Sequence, residues 1–203
     1  MVVSHRRMMG QLILLLLFLT GLMMVIVNAY WFVKGVSVVE PIRVTLTDPV
    51  PKQPLKPEIP SKMKPVDCVP KHGDQYAHLL IPKLDAKIPI YYGSKEAQLK
   101  QGIGHVERTA LPGEPNNTVL SGHRDTVFRH LGKIEKGDRF IVETEKERFT
   151  YLVKKIRIVD KDDRTVIVPK PKATLTVITC YPFGYAGKAP KRFVVMAELI
   201  NGS

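Results

Sequence analysis

The chain has 203 residues and a formal net charge of +12, with 44% hydrophobic and 25% charged residues. That length allows one domain plus an extension, and the two cysteines, Cys68 and Cys180, exclude a disulfide scaffold while leaving open a single bridge, against which the rest of the chain argues. The positive charge is spread along the chain without a basic stripe interleaved with aromatics, so a nucleic-acid partner is not expected.

In chain order, the first element is apolar. Leu12–Val27 is broken only by Thr20 and Gly21, and apolar character resumes after Asn28 as far as Val33. About 20 such residues suffice to cross a bilayer as a helix. Arg6 and Arg7 precede the run, and Tyr30 and Trp31 stand at its far end. The positive-inside rule puts the N-terminus in the cytoplasm and the rest outside, a single-pass arrangement at the cell membrane. A cleaved signal peptide is the competing reading, because Val27-Asn28-Ala29 has the small-residue character of a cleavage site.

Residues 34–66 hold seven of the 16 prolines and no sustained apolar period. They read as an extended, semi-rigid stalk, with a lead-in to residue 75 that contains Cys68. The divisions are therefore 1–33 cytoplasmic tip and membrane anchor, 34–75 stalk and lead-in, and 76–203 a folded domain.

From Tyr76 onward short strands dominate. Ala77–Ile81 and Lys87–Tyr92 flank a turn at Pro82–Asp85. Ser94 is placed to cap a short helix, Lys95–Gln101, which Gly102 ends, and His105 falls in the turn that follows. Asn117–Ser121 is a strand running into Gly122-His123, and Asp125 opens a helical turn over Val127–Leu131. Arg139–Glu143 and Arg148–Val159 come next, the latter with a phase slip at Lys154-Lys155 that predicts a bulge. Val166–Val168, Ala173–Thr179 and Phe193–Ile200 complete a count of about eight strands with two short helices. The expected fold is all-β, a closed eight-stranded barrel.

The candidate chemistry lies at strand ends. Cys180 ends the strand at Ala173–Thr179 and Arg192 begins the last one, with an eleven-residue loop between them rich in Pro and Gly. Paired antiparallel, strands about 4.8 Å apart bring the thiol beside the guanidinium, and a neighbouring cation favours the reactive thiolate. Acyl transfer on a thiol also needs a proton carrier for the leaving group. Of six histidines, His123 in LSGHRDTVF ends a strand as Cys180 does. Asp160, Asp162 and Asp163 read as an exposed acidic loop, not a calcium site, and Cys68-Val-Pro-Lys-His72 lacks the second ligand pair of a zinc site. No metal or cofactor is expected. Tyr181, Phe183 and Tyr185 are open between a pocket wall and an anchor for the loop.

The blocks TLTVITC (174–180), LSGHRDT (120–126) and KRFVV (191–195) resemble the signature blocks of sortases, membrane-anchored cysteine transpeptidases of Gram-positive bacteria. The resemblance covers about residues 76–200, and the GHRDTVF wording is similar to class D. It implies the sortase-type eight-stranded barrel. It also implies Cys180 as nucleophile, His123 as general acid and base, Arg192 as oxyanion or substrate-backbone partner, and Thr179 as part of the substrate-binding wall. The implied reaction is cleavage of an LPXTG-like sorting signal after its threonine through a thioester. The surface protein then passes to the amine of a peptidoglycan precursor. Cys68 has no counterpart in this pattern. Two alternatives stay open from the residues: a stalked extracellular cysteine protease, in which water takes the acyl group, and a non-catalytic surface-binding module. The L,D-type transpeptidases resemble a different pattern, with arginine much nearer the cysteine.

Overall fold

Alternating apolar residues drive the strands, because every second side chain of a strand faces the same side. In β1 (Gln75–Ile81) Ala77, Leu79 and Ile81 point inward, and in β2 (Ala86–Tyr92) Ala86, Ile88 and Ile90 do so. Helix α2 (Glu96–Leu99) leads to β3 (Ile103–His105) and β4 (Asn117–Ser121), followed by β5 (Arg139–Thr144), β6 (Arg148–Asp160), β7 (Thr174–Tyr181) and β8 (Lys191–Gly202). The computed structural model describes residues 2–42, 69–184, 187 and 189–202, with side chains from Met9 onward. Cys68, Tyr185 and most of the Pro-rich stretch lie outside the described residues.

The strands close into a barrel in the order β1-β2-β3-β4-β7-β8-β6-β5, which leaves no free sheet edge around the ring. Two neighbouring pairs are parallel, β2 with β3 and β4 with β7, and the others are antiparallel. The interior holds Leu79, Ile88, Ile90, Leu120, Phe140, Tyr151, Leu175 and Val195, all essentially without solvent contact. Burying each contributes roughly 1.5–3 kcal/mol against an exposed side chain. The Tyr151 hydroxyl accepts the Gly113 backbone N–H at 2.8 Å, so its one polar atom is satisfied inside. The bulge expected in β6 is present: its register against β8 shifts between Val153 and Lys155, turning the strand's inward face.

Four expectations are corrected. Val166–Val168 is not a strand; the Asn117 side-chain amide takes the Val166 and Val168 carbonyls at 3.3 and 2.9 Å. Val166 itself packs with Val159 and Val194 in a second apolar cluster. The eighth strand is instead β3, where a turn was expected. Its Gly104 is a close-approach glycine, since a Cβ there would lie 2.7 Å from the Gly93 carbonyl oxygen. Ser94 does not cap α2: the N-cap position is Lys95, with no side-chain capping bond. The segment expected as a helical turn over Val127–Leu131 gives turns and then a short 3-10 helix at Leu131–Lys133 that runs through Gly132.

Helix α1 spans Val2–Ser37, and Met9–Ser37 is long and apolar enough to cross a membrane. The residues that follow touch the barrel, although the sequence shows no apolar period there. Val38 and Val39 pack against the core, and Glu40 exchanges both backbone hydrogen bonds with Lys87 of β2, at 3.0 and 2.7 Å. The Ile42 N–H is held by the Asp85 carboxylate at 3.1 Å. Gly35 lies against Thr126, where a Cβ would come within 2.8 Å of the threonine methyl.

Candidate active site

Three strand ends meet at one rim of the barrel. Parallel pairing of β4 with β7 sets Ser121 opposite Ile178, and the Gly122 N–H continues the ladder to the Ile178 carbonyl at 3.2 Å. His123 and Cys180 therefore leave adjacent strands at the same level, each two residues beyond that pair. On the other side of β7, antiparallel pairing sets Cys180 opposite Arg192. The thiol thus stands between the strand end that carries the imidazole and the strand that carries the guanidinium.

Local chemistry holds this register. Gly122 has no room for a side chain, since a Cβ would come within 2.6 Å of the Phe128 ring. Thr179 is 2% exposed, and its hydroxyl donates to the Gly122 carbonyl at 2.8 Å, tying the strand of Cys180 to the lead-in of His123. Cys180 is a free, half-buried thiol. The His123 side chain is 38% exposed, with Nε2 3.6 Å from a carboxylate oxygen of Glu96 on α2. Arg192 Nη1 donates to the carbonyls of Ala189 and Lys191 at 3.2 and 3.0 Å.

A pocket of about 190 Å³ is lined among others by Ser121, Ile178, Arg192, Val194, Val166 and Ile167, while neither Cys180 nor His123 lines it. Thr179, expected in the substrate wall, is not among its lining side chains and faces inward. Tyr181 and Phe183 pack with Phe193, with ring centroids 5.2 to 6.4 Å apart, so they anchor the loop. Asp163 is taken up by Thr165 and by Arg157 at 3.2 Å, and the Thr165 hydroxyl and N–H hold its carboxyl below the usual range. Asp160 accepts the Asp162 N–H at 3.1 Å.

Two neighbours were not singled out in the sequence. Glu96 reaches His123 only because α2 folds over the rim. Arg124 sits inside the recognised LSGHRDT block, but nothing in a single sequence separates a buried arginine from an exposed one.

His105 belongs to a different network. It has no solvent exposure, with Nδ1 2.7 Å from the Tyr76 hydroxyl and Nε2 3.0 Å from Thr109 Oγ1. Burial pushes its pKa down to about 4.

A closed barrel whose rim sets a free thiol between a histidine and an arginine has the parts of a thiol acyl-transfer enzyme. Residues 79–200 match the family model described as the Sortase domain. Sortase D of Bacillus subtilis (strain 168) is 42% identical over 133 residues, which is 65% of this chain and 67% of that protein. Sortase SrtE1 of Streptomyces coelicolor is 35% identical over 129 residues, 54% of this chain and only 37% of that longer protein. Among solved structures, a Clostridium perfringens Sortase D5 transpeptidase superimposes with a TM-score of 0.59 at 33% identity, covering 64% of this chain and 82% of that one. Sortase A from Corynebacterium diphtheriae does so with a TM-score of 0.58 at 30% identity, covering 64% and 62%. The chain belongs to the sortase family and is a cysteine transpeptidase.

Proposed function

We propose that this chain cleaves an LPXTG-like sorting signal after its threonine and transfers the acyl fragment to the amine of a peptidoglycan precursor. The observation that carries the reading is the placement of Cys180 opposite Arg192 with His123 ending the neighbouring strand. The Cys180 thiolate attacks the threonine carbonyl carbon. The carbonyl electron pair moves to oxygen, and Arg192 stabilises that oxyanion or orients the substrate backbone. Collapse expels the glycine amine, which takes a proton from His123, and leaves a thioester on Cys180. The acceptor amine then attacks the thioester, gives its proton to His123, and releases the thiolate. Acid catalysis at the departing amine matters because an unprotonated amine is a poor leaving group. Thr179 supports the pocket from within by fixing Gly122.

The similarity to Sortase D and the GHRDTVF block favour class D. The length and composition of α1 favour a single-pass anchor with a cytoplasmic N-terminus and an extracellular barrel at a Gram-positive surface. The test is incubation of the full chain in detergent with an LPXTG-like peptide and a candidate amine, followed by mass analysis. Expected are a thioester adduct on Cys180 and a transfer product joined after threonine. Hydrolysis alone in excess amine would favour a protease, and no adduct would favour a binding module.

A further inference from the structure

Arg124, directly after His123, is a buried cation beside the active site. Its side chain is 6% exposed, against 62% for Asp125. The guanidinium crosses to the segment that follows Cys180. Nη1 donates to the Pro182 carbonyl at 3.1 Å and Nη2 to the Gly187 carbonyl at 2.9 Å, with Nε 3.4 Å from Asp125 Oδ1. Pro182 lies two residues beyond the thiol, and Gly187 further along the same β7–β8 loop. Near its far end the loop is held again, by Arg192 Nη1 on the Ala189 carbonyl at 3.2 Å. Two arginines, one from the histidine strand end and one from β8, thus bind three carbonyls of the loop that follows Cys180.

Burying a guanidinium costs several kcal/mol unless its donors are filled. Here the cost is offset by the Pro182 and Gly187 carbonyls. Arginine suits the task because its planar fork offers donors in fixed directions and reaches two separate acceptors at once. A lysine ammonium is a single point of charge on a flexible stem.

We propose that Arg124 is a positioning residue for transpeptidation. By holding Pro182 and Gly187 it locks the segment after Cys180 against the segment that carries His123, so the thiol and the imidazole keep one separation and one orientation. It acts through those two residues and not on the substrate. The inference rests on Cys180 and His123 being the reacting pair of the proposed function.

The test uses the full chain in detergent, unaltered and as Arg124→Lys and Arg124→Gln. Four quantities are measured: kcat and KM on an LPXTG-like peptide, alkylation of Cys180 by iodoacetamide in a Cys68→Ala background, hydrogen exchange of the loop amides, and exchange of the β7 and β8 amides. In Arg124→Gln, kcat falls about 10²-fold, the scale of a misplacement near 1 Å, while KM stays within about threefold. Arg124→Lys falls between Gln and the unaltered chain. Loop amides around Gly187 exchange faster in both variants, β7 and β8 amides stay slow, and the thiol alkylates at its original rate. A kcat near the unaltered value in Arg124→Gln overturns the proposal. So does a loss confined to KM, or a loss no larger than the fall in folded fraction reported by β7 and β8. Absence of a thioester in the unaltered chain sinks the proposed function and this inference together, an outcome distinct from an active parent with an equally active Arg124→Gln.

Discussion

Cys180 and Arg192 are register partners across β7 and β8, so the backbone ladder itself sets the two residues opposite one another. The pairing makes charge and hydrogen-bond geometry separable. If the arginine acts through its fork on the oxyanion or the substrate carbonyl, Arg192→Lys keeps the charge and loses the geometry. The expected loss in kcat/KM is on the order of 10²-fold, as for one oxyanion donor. Iodoacetamide alkylation of Cys180 should meanwhile be unchanged. A near-normal Lys variant would instead assign the residue to thiolate stabilisation, and Arg192→Ala would then move the pH dependence of alkylation upward.

Cys180→Ala should abolish both hydrolysis and transfer, because no other thiol stands at this rim among the described residues. His123→Ala should lose roughly 10²–10⁴-fold, the usual worth of a positioned acid or base. Cys68→Ala should leave peptide cleavage intact under reducing and oxidising conditions. A Cys68–Cys180 disulfide in oxidised protein, with activity restored by reductant, would show the second thiol to be a latch.

Strand pairing made the juxtaposition of Cys180 and Arg192 legible in the sequence, whereas the choice of His123 among six histidines leaned on the resemblance of its block to the sortase signature. The barrel was legible from its alternation, down to the bulge at Lys154. What was not legible depended on partners distant in sequence. Val166–Val168 has the composition of a strand, yet its carbonyls go to the Asn117 side chain, a contact without local signature. Ile103–His105 looks like a turn because of Gly104 and the preceding Gly102, whose purpose is close packing against Gly93 and Pro89 respectively. Arg124 and Glu96 are ordinary surface residue types whose roles arise only when two loops and a short helix close over the rim.

The contacts after α1 make a prediction about where the folded unit starts. A chain beginning near Asp67 should fold and cleave peptide, since every barrel strand lies beyond it. It loses the Val38 and Val39 packing and the paired Glu40–Lys87 bonds, worth together about 1–3 kcal/mol. Against a chain beginning at Gly35, its Tm should be lower by roughly 3–8 °C. Equal Tm values would show that residues 38–42 add nothing to the barrel. Failure to fold would show that they are part of it.

The last prediction concerns acid. His105 is closed in on both ring nitrogens. The Thr109 hydroxyl donates to the Val106 carbonyl at 2.7 Å, so its oxygen receives the Nε2–H of His105. The Tyr76 hydroxyl, whose pKa burial drives upward, is the donor to Nδ1. The neutral ring is therefore satisfied on both nitrogens, and a second ring proton would displace the Tyr76 O–H from its bond to Nδ1. Burial holds the folded pKa at about 4, against about 6.5 when unfolded. Because the unfolded chain binds the extra proton first, stability is intact above pH 6.5 and is lost as pH falls toward 4. The loss from this group between pH 7 and pH 5 should be about 2 kcal/mol. His78, also shifted down chiefly by burial, acts in the same direction, whereas Glu143, held low first by Arg148, matters only at more acid pH. Urea unfolding at pH 7 and pH 5 checks this on the parent and on His105→Gln, whose side chain keeps one donor and one acceptor without titrating. The variant should be less stable at pH 7 and much less sensitive to the change in pH. An equal drop in both proteins would remove His105 from the account.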